Sequence, residues 1–231
     1  MNTIELNNLV KKLQISKDQI LREEAEIEFL SLLAENSLGI KVVFYGGTAL
    51  RLAYGSPRFS EYIDLLRIKP FKFKEFETLI KKVAGKNGKK WRIKDLKEKR
   101  NTFFALFLIS DDKLKHNFSL KIELHIPAKK VSIENQLVLI KSPTHIAEPL
   151  LLVPTIEALE KLKIETVVER KKARDIFDLW YIAQFKRSFL NIPPLKSPYS
   201  EREFKNELQV FLPRKFYPVI KQLYEYTQRK N

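Results

Sequence analysis

The sequence predicts a mixed α/β (α+β) fold: a mixed sheet flanked by helices, followed by a helical C-terminal part. Three observations lead there. Helical spacing opens the chain, alternating and short apolar runs follow as far as Ile140, and helical spacing returns from Pro154. The expected division is a core with N-terminal helices over residues 1–142 and a helical region over 143–231 that completes the site.

Residues 3–13 and 16–36 read as helices; Ser16 and Asp18 give the second one a cap signal, and Leu30 and Leu33 recur at helical spacing. "KVVFY" (41–45) is a short buried strand, and a helix is expected from Thr48 to Tyr54, closed by Gly55-Ser56-Pro57. "YIDLLRI" (62–68) is the next strand. After Pro70 an amphipathic helix through Ala84 puts Phe73, Phe76, Leu79, Ile80 and Val83 on one side. "KWRIKDLKEK" and "FSLKIELHI" alternate as half-exposed strands, "FFALFLIS" between them is more buried, and "QLVLI" (136–140) is the last strand expected. Beyond Pro143 only helices are expected, over 154–167, 173–187, 200–212 and 213–228, with the proline-rich "SFLNIPPLKSPYS" (188–200) as connector.

Composition narrows the chemistry. Without cysteine there are no disulfides or thiolate metal sites, which fits a cytoplasmic protein. His116, His125 and His145 are too scattered for a zinc cluster. No apolar run reaches the ~18 residues a membrane span needs, and "MNTIELNNLVKKLQ" lacks the basic-then-apolar order of a secretory signal. The formal net charge of +15 favours a polyanionic partner: RNA, DNA or nucleotide phosphates. A lysine-rich but otherwise ordinary surface is the plain alternative.

Side chains alternate across a strand, so faces can be assigned by counting. Phe118, Leu120, Ile122, Leu124 and Ile126 share a core face, leaving Lys121, Glu123 and His125 on the other. Tyr62, Asp64 and Leu66 lie together, while Glu61, Ile63 and Leu65 point away. Asp64 sits amid apolar residues, so it needs an ion-pair partner or a cation. Gly46-Gly47-Thr48 stands between strand and helix, where free amides and the helix end face an anion or the glycines merely let the backbone bend. In "EALEKLKIETVVERKKARDIFDLW" cations and acids converge at Arg174, Asp175 and Asp178, either as a site or as solvated salt bridges.

Together, "GGTALRLAYG", "RFSEYIDLL", Glu123 and "EALEKL…RKKARDIFDLW" resemble the AbiEii/MenT group of toxin nucleotidyltransferases, within the DNA polymerase beta-like nucleotidyltransferase superfamily. They come in the family's order over roughly residues 40–185. The resemblance implies a nucleotidyltransferase fold and transfer of a nucleotide from an NTP to an RNA acceptor, a tRNA end, with Mg²⁺ (or Mn²⁺) and a cognate antitoxin partner. It also implies roles. Gly46, Gly47, Thr48 and Ser60 would cradle triphosphate, Asp64 and Glu123 would ligate metal, Lys161 would contact phosphate, and Arg174, Asp175 and Asp178 would complete the site.

One position departs from the pattern. Tyr62 stands where the family's Asp-x-Asp strand carries its first acid, and a phenol is neutral near pH 7 and a poor Mg²⁺ ligand. Two origins are open: a natural tyrosine in a degenerate member, or an inactivating change, since Asp and Tyr codons differ at a single base. The competing functions are a nucleotidyltransferase toxin, impaired as written; a non-catalytic nucleic-acid- or partner-binding protein on the same fold; and a nucleotidyltransferase acting on a protein or a small molecule.

Overall fold

The structure is a computed structural model and describes residues 1–129, 131–190 and 198–229. The opening helical spacing becomes α1 (Thr3–Leu13) and α2 (Lys17–Ala34). The expected cap is made, with the Ser16 hydroxyl accepting the Gln19 amide at 3.4 Å. β1 (Val42–Tyr45) runs straight into α3 (Gly46–Tyr54). That helix begins at Gly46 rather than Thr48 because Gly46, at φ 83°, turns the chain at once from strand to helix. β2 (Tyr62–Arg67), α4 (Phe73–Asn87), β3 (Trp91–Lys99), β4 (Thr102–Ile109) and β5 (Phe118–His125) follow close to expectation.

The expectation of helix alone beyond Pro143 is corrected. β6 (Asn135–Leu139) pairs antiparallel with β7 (Leu150–Pro154), so "LLLVP" is a strand. A five-residue apolar run has no period to separate strand from buried helix, and only its partner decides the matter. This pairing runs across the 142/143 boundary. The chain then forms α5 (Ile156–Arg170), α6 (Ala173–Lys186), α7 (Glu201–Gln209) and α8 (Tyr217–Arg229). Residues 191–197 of the expected connector lie outside the described residues.

The five-stranded sheet has the order β1-β2-β5-β4-β3; β2 and β5 are parallel and the other neighbours antiparallel. Its inner face buries Ile63, Leu65, Ala105, Phe107, Leu120, Ile122 and Leu124 with Leu30 and Leu33 of α2 and Phe76 and Ile80 of α4. Each large side chain so buried contributes about 1.5–3 kcal/mol, which fixes the register and hence the polar set on the opposite face. A second apolar cluster joins Val167, Ile176, Phe177, Phe204, Leu208 and Leu223 among α5–α8. Leu50, Ile156, Leu159 and Ile182 tie the two together, as does the Phe59 amide on the Phe211 carbonyl at 2.8 Å.

Candidate active site

Asp64 on β2 stands opposite Glu123 on β5, and Tyr62 stands opposite Lys121. Because their neighbours Ile63 and Ile122 are fully buried in the core, strand alternation turns both acids to the other face. There they line two adjoining recesses of about 260 and about 240 Å³ between the sheet and α5–α6. Burial pushes the Asp64 carboxyl up to about 6, opposed by the attraction of Lys163 and reinforced by the repulsion of Glu123. Tyr45, in register with Asp64 on β1, has its phenol raised by burial and then by the two acids.

The glycine turn closes against this pair. A Cβ on Gly46 would lie 2.3 Å from Asp64 Oδ2, and one on Gly47 would lie 2.2 Å from Arg58 Nη2 and 3.3 Å from Ser60 Oγ. A side chain at either position would therefore displace Asp64 or Arg58. Among the described residues no side chain caps the start of α3, and Gly46 and Gly47 of its first turn line the recesses. Ser60 lines the recess. Thr48 does not: it is fully buried, and its hydroxyl donates to the Tyr62 carbonyl at 2.5 Å, which ties α3 to the start of β2.

The third wall comes from α5 and α6, and here two expected roles are redistributed. Lys161 is exposed on α5 and lines neither recess. Lys163 lines both and is buried, with its ammonium 2.6 Å from Asp178 and 3.2 Å from Asp175. Helix phase is the reason: Leu159, Lys163 and Val167 share the inward stripe, and Lys161 lies two residues round from it. The sequence held that signal, since a lysine inside an apolar i, i+4 stripe must find acids.

Asp178 is wholly buried and accepts from Arg58 Nε and Nη2, at 2.7 and 2.8 Å. Burial raises its carboxyl, but Arg58 and Lys163 overcome this and hold it below the usual range. It anchors the site from beneath instead of lining it. Asp175 does line the recess; Oδ1 takes Lys163 and Arg170, while buried Oδ2 has no hydrogen-bond partner among the described residues. Arg174 lines the same recess and pairs with Glu207 at 3.3 Å. Arg170, Lys172 and Lys121, to which the sequence reading gave no role, also face the cavity.

Asp64 and Glu123 are hard oxygen donors suited to one divalent cation such as Mg²⁺ or Mn²⁺; burial raises the Asp64 carboxyl although Lys163, Arg170 and Lys121 oppose it, and Lys121 pairs with Glu123 at 3.0 Å. Among the described residues no group of three His, Cys, Asp or Glu side chains could share a metal. Tyr62 lines the recess in register with Lys121, whose Nζ lies 4.4 Å over its ring.

The model of the nucleotidyl transferase AbiEii toxin family, described as a type IV toxin–antitoxin system, matches residues 28–212. Among solved structures, JHP933 from Helicobacter pylori aligns with a TM-score of 0.56 at 16% identity over 94% of this chain and 96% of its own. A second H. pylori structure, described provisionally as a nucleotidyltransferase, aligns with a TM-score of 0.56 at 17% identity, over 94% and 99%. At these identities the likeness is one of fold. No curated protein matches in sequence.

Proposed function

This chain belongs to the AbiEii nucleotidyltransferase toxin family, and from that premise we propose that its site moves a nucleotide from a nucleoside triphosphate to an RNA acceptor, a tRNA end. The supporting observation is the in-register pair Asp64–Glu123, facing a recess walled by the Gly46–Gly47 turn and by Lys163, Arg170 and Lys172. An acceptor hydroxyl attacks the α-phosphorus, a P–O bond forms, the α–β anhydride opens, and pyrophosphate leaves as the hydroxyl proton is released. A divalent cation on the two acids would spread the charge built up at the phosphate.

The chain's own groups do the positioning. The α3 amides beside Gly46 and Gly47 and the Ser60 hydroxyl receive triphosphate oxygens, and Lys163, Arg170 and Lys172 offset the charge of the leaving pyrophosphate. The Arg58–Asp178–Lys163 cluster holds the α6 wall against the sheet. With Tyr62 in place of an acid, transfer is impaired. That substitution favours a second reading, a non-catalytic nucleic-acid- or partner-binding protein on the same scaffold.

A type IV toxin family implies an antitoxin, and we place the chain in the cytoplasm beside it; no helix among the described residues is long and apolar enough to cross a membrane. The test is Tyr62→Asp. With Mg²⁺, an α-labelled NTP and total tRNA, this variant should incorporate label at least about 100-fold faster than the Tyr62 chain, and its expression should arrest growth. No label from any of the four triphosphates, and no arrest, would leave only the binding reading.

A further inference from the structure

The site face of the sheet continues past the acids. One cross-strand row runs Tyr45, Asp64, Glu123, Phe104 and Lys97, from β1 to the free edge at β3. The rows beside it place Leu66, His125, Thr102 and Lys99 on one side and Tyr62, Lys121, Leu106 and Asp95 on the other. α4 packs against β3 and β4 from the core side, and Lys97 and Lys99 are exposed on this opposite face.

Phe104 gathers cations. Lys99, Lys97 and Lys121 bring their ammonium groups to 4.6, 5.2 and 5.7 Å from its ring centroid, and Lys121 also lies over Tyr62. Two of the three have an acid at hand, Asp95 for Lys97 and Glu123 for Lys121, while among the described residues Lys99 is held by the ring alone. With Lys97 and Lys121 offset by acids, Lys99 carries the charge of this cluster that only a ring opposes. A chain of negative charges laid across the three would pair with it.

The geometry points to this face as the seat of a single-stranded nucleic acid, with Lys97, Lys99 and Lys121 holding successive phosphates of the strand that ends at Asp64 and Glu123. Lys97 and Lys99, two residues apart on a strand, are separated by about 6.8 Å along it, close to the spacing of neighbouring phosphates in an extended chain. Phe104 acts as a positioning residue by gathering the Lys99 ammonium beside those of Lys97 and Lys121, which it shares with Asp95 and Glu123. The exposed Lys97 and Lys99 beyond the recesses suit a single strand, whose backbone can follow a row of cations. The inference rests on the transfer reading only for the direction of the strand; the binding face itself does not.

The test is fluorescence anisotropy of a short labelled single-stranded RNA, without nucleotide, over a range of salt. The proteins are the unmodified chain, Lys97→Ala/Lys99→Ala, and a control on the opposite side, Lys82→Ala/Lys86→Ala of α4. The first pair should weaken binding about tenfold at low salt and flatten the log–log salt slope by about 1.4, at about 0.7 per phosphate contact; the α4 pair should do neither. Equal losses from both pairs would show attraction by net charge alone and overturn the proposal. So would unchanged affinity in the β3 variant, the outcome expected if an acidic protein occupies this face. Either result leaves the label-transfer test of Tyr62→Asp untouched, so the two readings fail separately.

Discussion

Asp64→Asn should make the protein more stable. The Asp64 carboxyl is held up at about 6 against an ordinary 3.8, first by burial and then by the balance of Lys163 against Glu123. Below the unfolded value both states are protonated and the group contributes nothing. Between the two values the folded state keeps a proton that the unfolded chain has lost, so folding becomes less favourable as pH rises. Above about 6 both states are ionised and the full cost is present. The difference between 3.8 and about 6 sets that cost at about 3 kcal/mol. Asparagine keeps the shape and removes the charge. Urea denaturation in divalent-free buffer at several pH values measures the difference directly. Asp64→Asn should match the unmodified chain near pH 3.5 and exceed it by up to about 3 kcal/mol above pH 7. Saturating Mg²⁺ should stabilise the unmodified chain and not the variant. An asparagine variant of equal or lower stability at pH 7.5, with an unchanged pH profile, would refute the reasoning.

Other perturbations probe the supporting structure. Arg58→Met leaves buried Asp178 with Lys163 alone, so the denaturation midpoint should fall by an amount equivalent to about 3–5 kcal/mol. Gly46→Ala combines φ 83° with a Cβ set against Asp64 Oδ2, and it should lower stability by about 1–3 kcal/mol, seen as a drop in Tm. Glu26, raised by burial and then by Glu23, loses stability for the fold as pH rises. Glu26→Gln should therefore raise Tm at pH 7.5, with the gain fading toward acid pH.

The sheet was legible wherever one face is buried. Alternation in "YIDLLRI" and "FSLKIELHI" separated Asp64 and Glu123 from the core residues between them, because a slip of one position would bury both acids. The Ser16 cap was legible because a short hydroxyl before a helical run has one efficient partner, the amide three residues on. What escaped depends on partners distant in the chain. β7 is defined by β6, and no local period distinguishes "LLLVP" from a buried helical turn. Lys163 was overlooked in favour of Lys161, although its stripe with Leu159 and Val167 marks it as the inward residue. Asp178 is expected to complete the site, and that it does so from beneath depends on Arg58, which lies 120 positions away and meets it only through the fold. The lysines of β3 read only as one side of a half-exposed strand, because the ring that gathers them, Phe104, lies on the neighbouring strand.

The central claim is that Asp64 and Glu123 jointly hold a divalent cation, and that Tyr62 occupies the place of a further ligand. Titration of Mn²⁺ followed by its EPR signal tests it without requiring turnover. Tyr62→Asp should bind Mn²⁺ about tenfold or more tightly than the unmodified chain, and adding Glu123→Gln to that variant should remove the gain. Equal Mn²⁺ affinity in all three proteins would contradict the account.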